Sequence, residues 1–374
     1  MRNRDVIIIG GGAIGAFTLF HLAKRGISNC LLLEKENSSG LGATGSWGSL
    51  IRTMHLSPIT TQKATICLPT YQHFPDLVGG SARFSRCGSL YFIKNDQLPA
   101  LKAHLALLSA SNIPYEIIDA ERGKKAFPHF NWFDNDMAIY EENAGTACPH
   151  ATTQELINYG VRKGAEARFN ESVLDIKVAE NRIFTVVTPT QQYLARHVVI
   201  AAGRWSKSLA QRLGVDLMIH EKSIQINRFC RTHFKASIPL FIDRNLASFG
   251  HFFPDGSFAG GYLPAADATG KPSERLSISD ANQAKMQISK RLNWIKNASL
   301  EGGIRAIESY SDNGQGIIDN NFAVDNLTIA AGFSCTGFTL APYAGGLVAD
   351  GIMGTVKKCP EKSNIEQTAS KSMW

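Results

Sequence analysis

Residues 5–35 read DVIIIGGGAIGAFTLFHLAKRGISNCLLLEK, and this stretch decides the fold. An apolar run, Val6 to Ile9, leads into Gly10-Gly11-Gly12-Ala13-Ile14-Gly15, which has the spacing G-x-G-x-x-G. The pattern predicts a strand, a tight glycine turn and a helix over 16–24 that stops at Gly26. A second buried strand, 31–33, then ends on Glu34. Each part has a physical job. Gly10 permits the turn, Gly12 lets the backbone approach a pyrophosphate, and Gly15 lets the helix pack against the sheet. The helix N-terminus offers free N–H groups and a positive dipole end to the phosphates. Glu34 is placed to accept hydrogen bonds from an adenosine ribose, and its charge repels a 2′-phosphate. The expected cofactor contacts in this unit are Gly10, Gly12, Ala13, Ile14, Gly15, Glu34 and Lys35. A glycine-rich turn alone is weak evidence; here strand, helix, second strand and terminal acid stand in register.

Working outward, 374 residues suffice to bury a large core and suggest two lobes. A hydrophobic share of 44% with 19% charged residues describes a globular enzyme rather than a disordered or fibrous chain. No apolar run reaches the ~20 residues that cross a bilayer. The first strand starts so early that a signal peptide has no room, so the cytoplasm is the expected compartment. The seven cysteines show neither a C-x-x-C pair nor a matching histidine spacing, which points to reduced, buried thiols and no metal site. A net charge of +7 raises nucleic acid as a partner, but the basic residues form no long run, so none is expected.

After Glu34 comes a small-residue stretch, Ser38 to Ser49, running into Leu50-Ile51-Arg52. Such a segment either passes close to a bulky ligand or forms a surface loop. Strand character around 88–93 is followed by helical periods over 98–109 and 154–164. Phe127, Phe130, Trp132 and Phe133 are expected to pack the interface between lobes. His197 to Gly203 reads as a buried strand ending at glycine, and 280–294 as a helix. Asp325 to Phe338 forms a second strand–glycine–helix unit, with the helix over 339–352. A nucleotide domain assembled from separated segments explains this order: 1–80, 145–218 and 310–355, with 81–144 and 219–309 forming a substrate domain. Residues 356–374 form a polar tail.

The fingerprint alone leaves nicotinamide and flavin open. The remaining segments resemble the D-amino-acid oxidase superfamily of FAD-dependent oxidoreductases, in its sarcosine oxidase and glycine oxidase branch. The carriers are Gly42-Ala43-Thr44 to Arg52, Cys87 to Tyr91, Gly145 to Pro149, Val198 to Gly203 with Trp205-Ser206, and Gly332-Phe333-Ser334 to Pro342. Their order and spacing over residues 5–353 are specific where each alone is weak. The resemblance implies an α/β fold: a Rossmann-type FAD-binding domain and an interleaved α+β substrate domain with a large mixed sheet. It implies FAD, expected to be noncovalent because Glu308 stands where some members carry the flavin-linking cysteine, and oxidation of a C–N bond, in which a neutral amine gives a hydride to flavin N5 and the imine is hydrolysed. It adds Thr44, Ser46, Val173, Ala202, Gly203, Trp205, Gly332, Thr336, Gly337, Phe338 and Thr339 to the cofactor contacts. The helix starting near Gly337 is expected to point its positive end at the flavin.

Arg52 lies where the family's arginine binds a substrate carboxylate, a task that suits a guanidinium fork; the other reading is a surface ion pair. Tyr310 matches an active-site tyrosine, and Thr339 stands where the family has a carboxylate-binding lysine. Residues 258–263 lack the lysine that speeds reaction with oxygen, and Leu263 replaces a histidine. Glu308 replaces the cysteine that links flavin in some members; it reads equally as a base, an ammonium ligand or an ordinary acid. His220, Lys222 and His251 are not assigned. These departures leave substrate and electron acceptor open. The leading expectation is an FAD-dependent amine or amino-acid oxidoreductase acting on a small molecule. Rivals are a 2-hydroxy-acid dehydrogenase and a flavin subunit of a heteromeric complex that needs a protein partner.

Overall fold

A computed structural model describes residues 3–46, 49–230, 238–253, 256–262, 273–320 and 324–354. Trp47, Pro254, Asp255, Leu263 and the 356–374 tail lie outside them. Two eight-stranded sheets carry the architecture, a doubly layered α/β arrangement and a mixed α+β lobe.

In the first sheet, β1 (Asn3–Ile9) pairs in parallel with β2 (Cys30–Leu33) on one side and with the strand Gln192–Ile200 on the other. The outer half of Gln192–Ile200 pairs with Phe184–Val187, and its inner half with Leu327–Ala331. Strands far apart in sequence therefore end side by side. Toward their carboxyl ends the parallel strands are buried on both faces, at Val6–Ile9, Cys30–Leu33, 197–200 and Leu327–Ala331, as strands covered on both sides require. The helix α1 (Ala13–Lys24) begins three residues before the 16–24 period, so the last fingerprint glycine lies inside its first turn. Almost all of α1 is buried, packed between Pro149–Arg162 and the C-terminal helix Gly337–Ile352.

The second sheet runs in spatial order Ser299–Ser311, Ile219–Cys230, Phe258–Tyr262, Ser248–Phe252, Leu240–Asp243, Ser89–Lys94, Asp136–Glu141, Glu116–Asp119. Alternation gives it two faces. One carries Tyr91, Ile93, Ile226, Ile242 and Phe249, packed with Met54. The other carries Phe92, Phe229, Phe241 and Phe258 under the helix Ile278–Arg291. Phe130 and Trp132 belong to this outer core, with Trp132 4.8 Å from Phe92 between ring centres, so they do not pack the lobe interface. Phe133 is half-exposed. Apolar composition predicted burial there but not which face of the sheet would supply it.

Arg291 is fully buried in the outer core. Its guanidinium bonds Asp243 at 2.6 and 2.8 Å and Asp136 at 2.5 Å, and stacks 4.0 Å from the Phe92 ring centre. A small three-stranded sheet joins the lobes, with Gly145–Thr146 between Leu50–Ile51 and Ser85–Arg86. The strand Ser299–Ser311 runs past the boundary drawn at 309, because Tyr310 and Ser311 pair with His220 and Ile219. Among the described residues no helix is long and apolar enough to cross a membrane, and no three potential metal ligands lie together.

Candidate active site

A cleft of about 350 Å³ runs from the carboxyl ends of the first sheet to the edge strand Ser299–Ser311 of the second. Open α/β sheets bind ligands at this edge. Gly10, Gly12, Ala13 and Ile14 line its middle, where β1 turns into α1. Gly10 has φ +111°, a conformation that side chains rarely adopt. Gly15 does not line the cleft; a β-carbon there would overlap the Gly10 carbonyl oxygen, so its work is helix-to-turn packing.

The first turn of α1 has no acidic residue, and Gly12 gives it no side-chain cap. One of its amides, Ala13 N, donates to Thr44 Oγ1 at 3.0 Å, and Thr44 also lines the cleft. The helix Gly337–Ile352 likewise starts with no acid and no side-chain cap, with Gly337, Phe338 and Gly332 on the wall. Two helix starts thus present positive dipole ends and backbone amides to one cleft.

At one end stands Glu34. Its carboxylate accepts from Gly11 N at 2.6 Å and from Glu36 N at 2.9 Å. Each oxygen keeps lone-pair capacity, and Glu34 lines the cleft, which suits ribose hydroxyls. Val173, Ala202, Gly203 and Trp205 line the same end. The Trp205 indole is touched by the Lys35 ammonium at 4.0 Å and by the Arg204 guanidinium at 4.3 Å. Cations held on an indole face fix its plane.

At the other end the wall includes Glu308, Phe333 and Cys335. Tyr310 hydroxyl lies 2.5 Å from Cys335 Sγ, and Cys335 also bonds Glu308. Burial pushes both the Tyr310 phenol and the Cys335 thiol well up, so both stay protonated. His220 stacks on Tyr310 with ring centres 5.7 Å apart, and Lys222 Nζ lies 5.0 Å from the Tyr310 ring centre. Lys222 faces Glu308 across the strand ladder. Sequence reasoning did not single out Cys335; only its place between Phe333 and Gly337 hinted at the cleft. His251 is buried, its pKa brought down to about 4 by desolvation.

The remaining expected residues stand elsewhere. Ser46 Oγ donates to Gly42 O at 3.2 Å and Thr336 Oγ1 to Phe333 O at 2.6 Å, and neither lines the cleft. The Thr339 hydroxyl donates to Leu50 O at 2.9 Å, so it serves the small joining sheet rather than the cleft. A short side chain on the buried face of a helix finds the nearest carbonyl, so any part for Thr339 in the site falls to its backbone in the first turn of the helix Gly337–Ile352. Arg52 also lies outside the cleft lining, in the segment that follows Leu50–Ile51. Its Nη1 is shut off from solvent with no hydrogen-bond partner among the described residues. Burial lowers its pKa and Arg244 lowers it further, while Tyr91 and Glu141 raise it. The surface-ion-pair reading of Arg52 does not hold among the described residues.

An adenine dinucleotide fits this cleft: two helix starts without an acid or a cap from their own N-cap residue for phosphates, a carboxylate with spare lone pairs at one end, and a wall from the second lobe at the other. Comparison with known proteins agrees. The chain is 24% identical to peroxisomal sarcosine oxidase of Homo sapiens over 91% of its length and 90% of the relative's. Its fold superposes on L-proline dehydrogenase from P. horikoshii with a TM-score of 0.87, at 20% identity over 96% of both chains. Glycine oxidase from Geobacillus kaustophilus gives 0.81, at 19% identity over 95% of both. The family profile described as FAD dependent oxidoreductase (DAO) matches residues 5–351, from the first strand of the fingerprint to the last turn of the helix that closes the cleft, and the chain belongs to that family of FAD-dependent enzymes.

Proposed function

We propose that this enzyme oxidises a C–N bond in an amine or amino acid that carries a carboxylate. The observation that carries the reading is the cleft itself, with the dinucleotide fingerprint along its middle and the substrate sheet's Glu308 at its far end. The sarcosine oxidase, glycine oxidase and L-proline dehydrogenase it resembles are named for substrates that each combine an amine with a carboxylate. FAD, when bound, supplies the two-electron acceptor.

The chain's own residues supply the rest. The amides of the glycine turn and of α1 hold the pyrophosphate, and Glu34 holds the ribose. The start of the helix Gly337–Ile352 offers a positive dipole end where negative charge builds up. Arg52, the buried cation in the segment after Leu50–Ile51, is the residue assigned to the substrate carboxylate. Tyr310, held by Cys335, shapes the cavity beside Glu308.

A second reading is favoured by one observation. Glu308 is a buried carboxylate on the cleft wall. Oxidation of a 2-hydroxy acid needs a base to take the hydroxyl proton, whereas a neutral amine does not. Matched pairs of amino acid and 2-hydroxy acid, assayed for ammonia release and dye reduction, separate the two. Ammonia released only from the amino acid supports C–N oxidation; turnover of the hydroxy acid alone supports the second reading. Oxygen, a quinone and a protein partner are the candidate acceptors, and oxygen consumption during turnover distinguishes the first from the others.

A further inference from the structure

The loss of a carboxylate-binding cation at Thr339 raises the question of what assists Arg52. The strand Leu240–Asp243 answers it. Ile242 lies opposite Tyr91 and Asp243 opposite Phe92, and Arg244 N donates to Phe92 O at 3.1 Å. Side chains alternate across a strand. Asp243 points to the outer core, where it bonds Arg291. Arg244 therefore emerges on the opposite face, with Ile242 and Tyr91. That is the face packed against Met54, two residues after Arg52.

Arg244 is exposed, and no carboxylate lies within ion-pair distance of either guanidinium among the described residues. Glu141 is the nearby acid, but its carboxylate is already taken by Thr53 N at 2.9 Å, Met54 N at 3.0 Å and the Thr53 hydroxyl. Tyr91 lies in the field of both arginines. Two like charges brought together in a partly dry place, with the local carboxylate spent on backbone amides, form a receptor for an anion.

We propose that Arg244 is a specificity-determining residue, which together with Arg52 binds the carboxylate of the substrate beside Tyr91. The inference rests on the reading of Arg52 given above and extends it to a residue from the substrate sheet. The ion pair between Asp243 and Arg291 on the outer face, with Asp243 Oδ1 also accepting from Asn245 N and Leu246 N at 2.9 Å, fixes the strand end from which Arg244 projects.

The test uses the holoenzyme, with acetate as anion probe and acetamide as its neutral counterpart. Binding is followed by perturbation of the flavin absorbance, and FAD content and Tm are checked for each variant. Acetate is expected to bind and acetamide not to. Arg244→Gln is expected to weaken acetate at least tenfold, with Arg244→Lys recovering part of the loss, and Arg52→Lys to weaken it also. Loss in the Arg52 variant with unchanged affinity in Arg244→Gln overturns this inference and leaves the Arg52 reading standing. Acetate affinity unchanged in both variants overturns both.

Discussion

Glu141, at the end of a substrate-sheet strand, accepts the backbone N–H of Thr53 at 2.9 Å, and so ties the segment carrying Arg52 to the sheet. The carboxylate is fully buried and also takes Met54 N. Glu141→Ala would orphan two buried amides, at a cost of about 1–3 kcal/mol each. Denaturant unfolding of this variant is expected to show a loss of roughly that size. Loss of less than ~0.5 kcal/mol, the scatter of surface substitutions, would contradict it.

The outer core gives a second expectation. Replacing Arg291 with Met leaves Asp136 and Asp243 buried without their partner, and breaking such a pair costs about 3–5 kcal/mol. Adding Asp136→Asn and Asp243→Asn removes the stranded charges and should recover much of the loss. Midpoints of chemical unfolding for the single and triple variants decide it: a triple variant no better than the single one refutes the electrostatic account.

Cofactor retention is the third. Glu34→Ala removes the charged acceptor assigned to the ribose and should weaken FAD binding roughly ten- to a hundredfold. Gly15→Ala, whose β-carbon would overlap the Gly10 carbonyl, should yield protein depleted of FAD. Flavin-to-protein absorbance ratios after gel filtration check both, and full occupancy in Gly15→Ala would show that the turn can relax.

His197 makes stability depend on pH. Its Nε2 lies 2.8 Å from Thr328 Oγ1 inside the first sheet, and desolvation brings its pKa from 6.5 to about 4. Between those values the unfolded chain binds the proton and the native protein does not. Stability therefore falls as pH drops from 6.5 toward 4, by about 3 kcal/mol once the shift is spent. Unfolding followed across pH 4–7 should show a shallower slope in His197→Gln than in the parent protein. Equal slopes would mean the histidine titrates alike in both states.

The first sheet was legible in the sequence because its strands are continuous apolar runs and its turn needs glycine. Val6 to Ile9 and Val198 to Ile200 could hardly be anything else. The helix Pro58–Gln72 was not read. Its buried residues include Thr60, Thr61 and Thr65 beside Ala64 and Leu68, so no apolar stripe stands out, and Pro69 lies inside it. Ser57, whose Oγ accepts from Thr60 N at 3.2 Å, was the local signal available. In the site, backbone-built features such as the Gly10 turn follow from local sequence. Arg244 and Cys335 depend on which strand lies beside which, and that is decided by tertiary pairing. Thr339 stands where the resemblance has a longer, cationic side chain, and its hydroxyl bonds Leu50 O instead.

The most direct test of the account is an anaerobic absorbance titration of the purified yellow protein with amino acids and N-methyl amines. The account predicts bleaching of the flavin by at least one amine that carries a carboxylate, with ammonia or a primary amine released in stoichiometric amount. A flavin that no amine bleaches, but that a 2-hydroxy acid does, would contradict it.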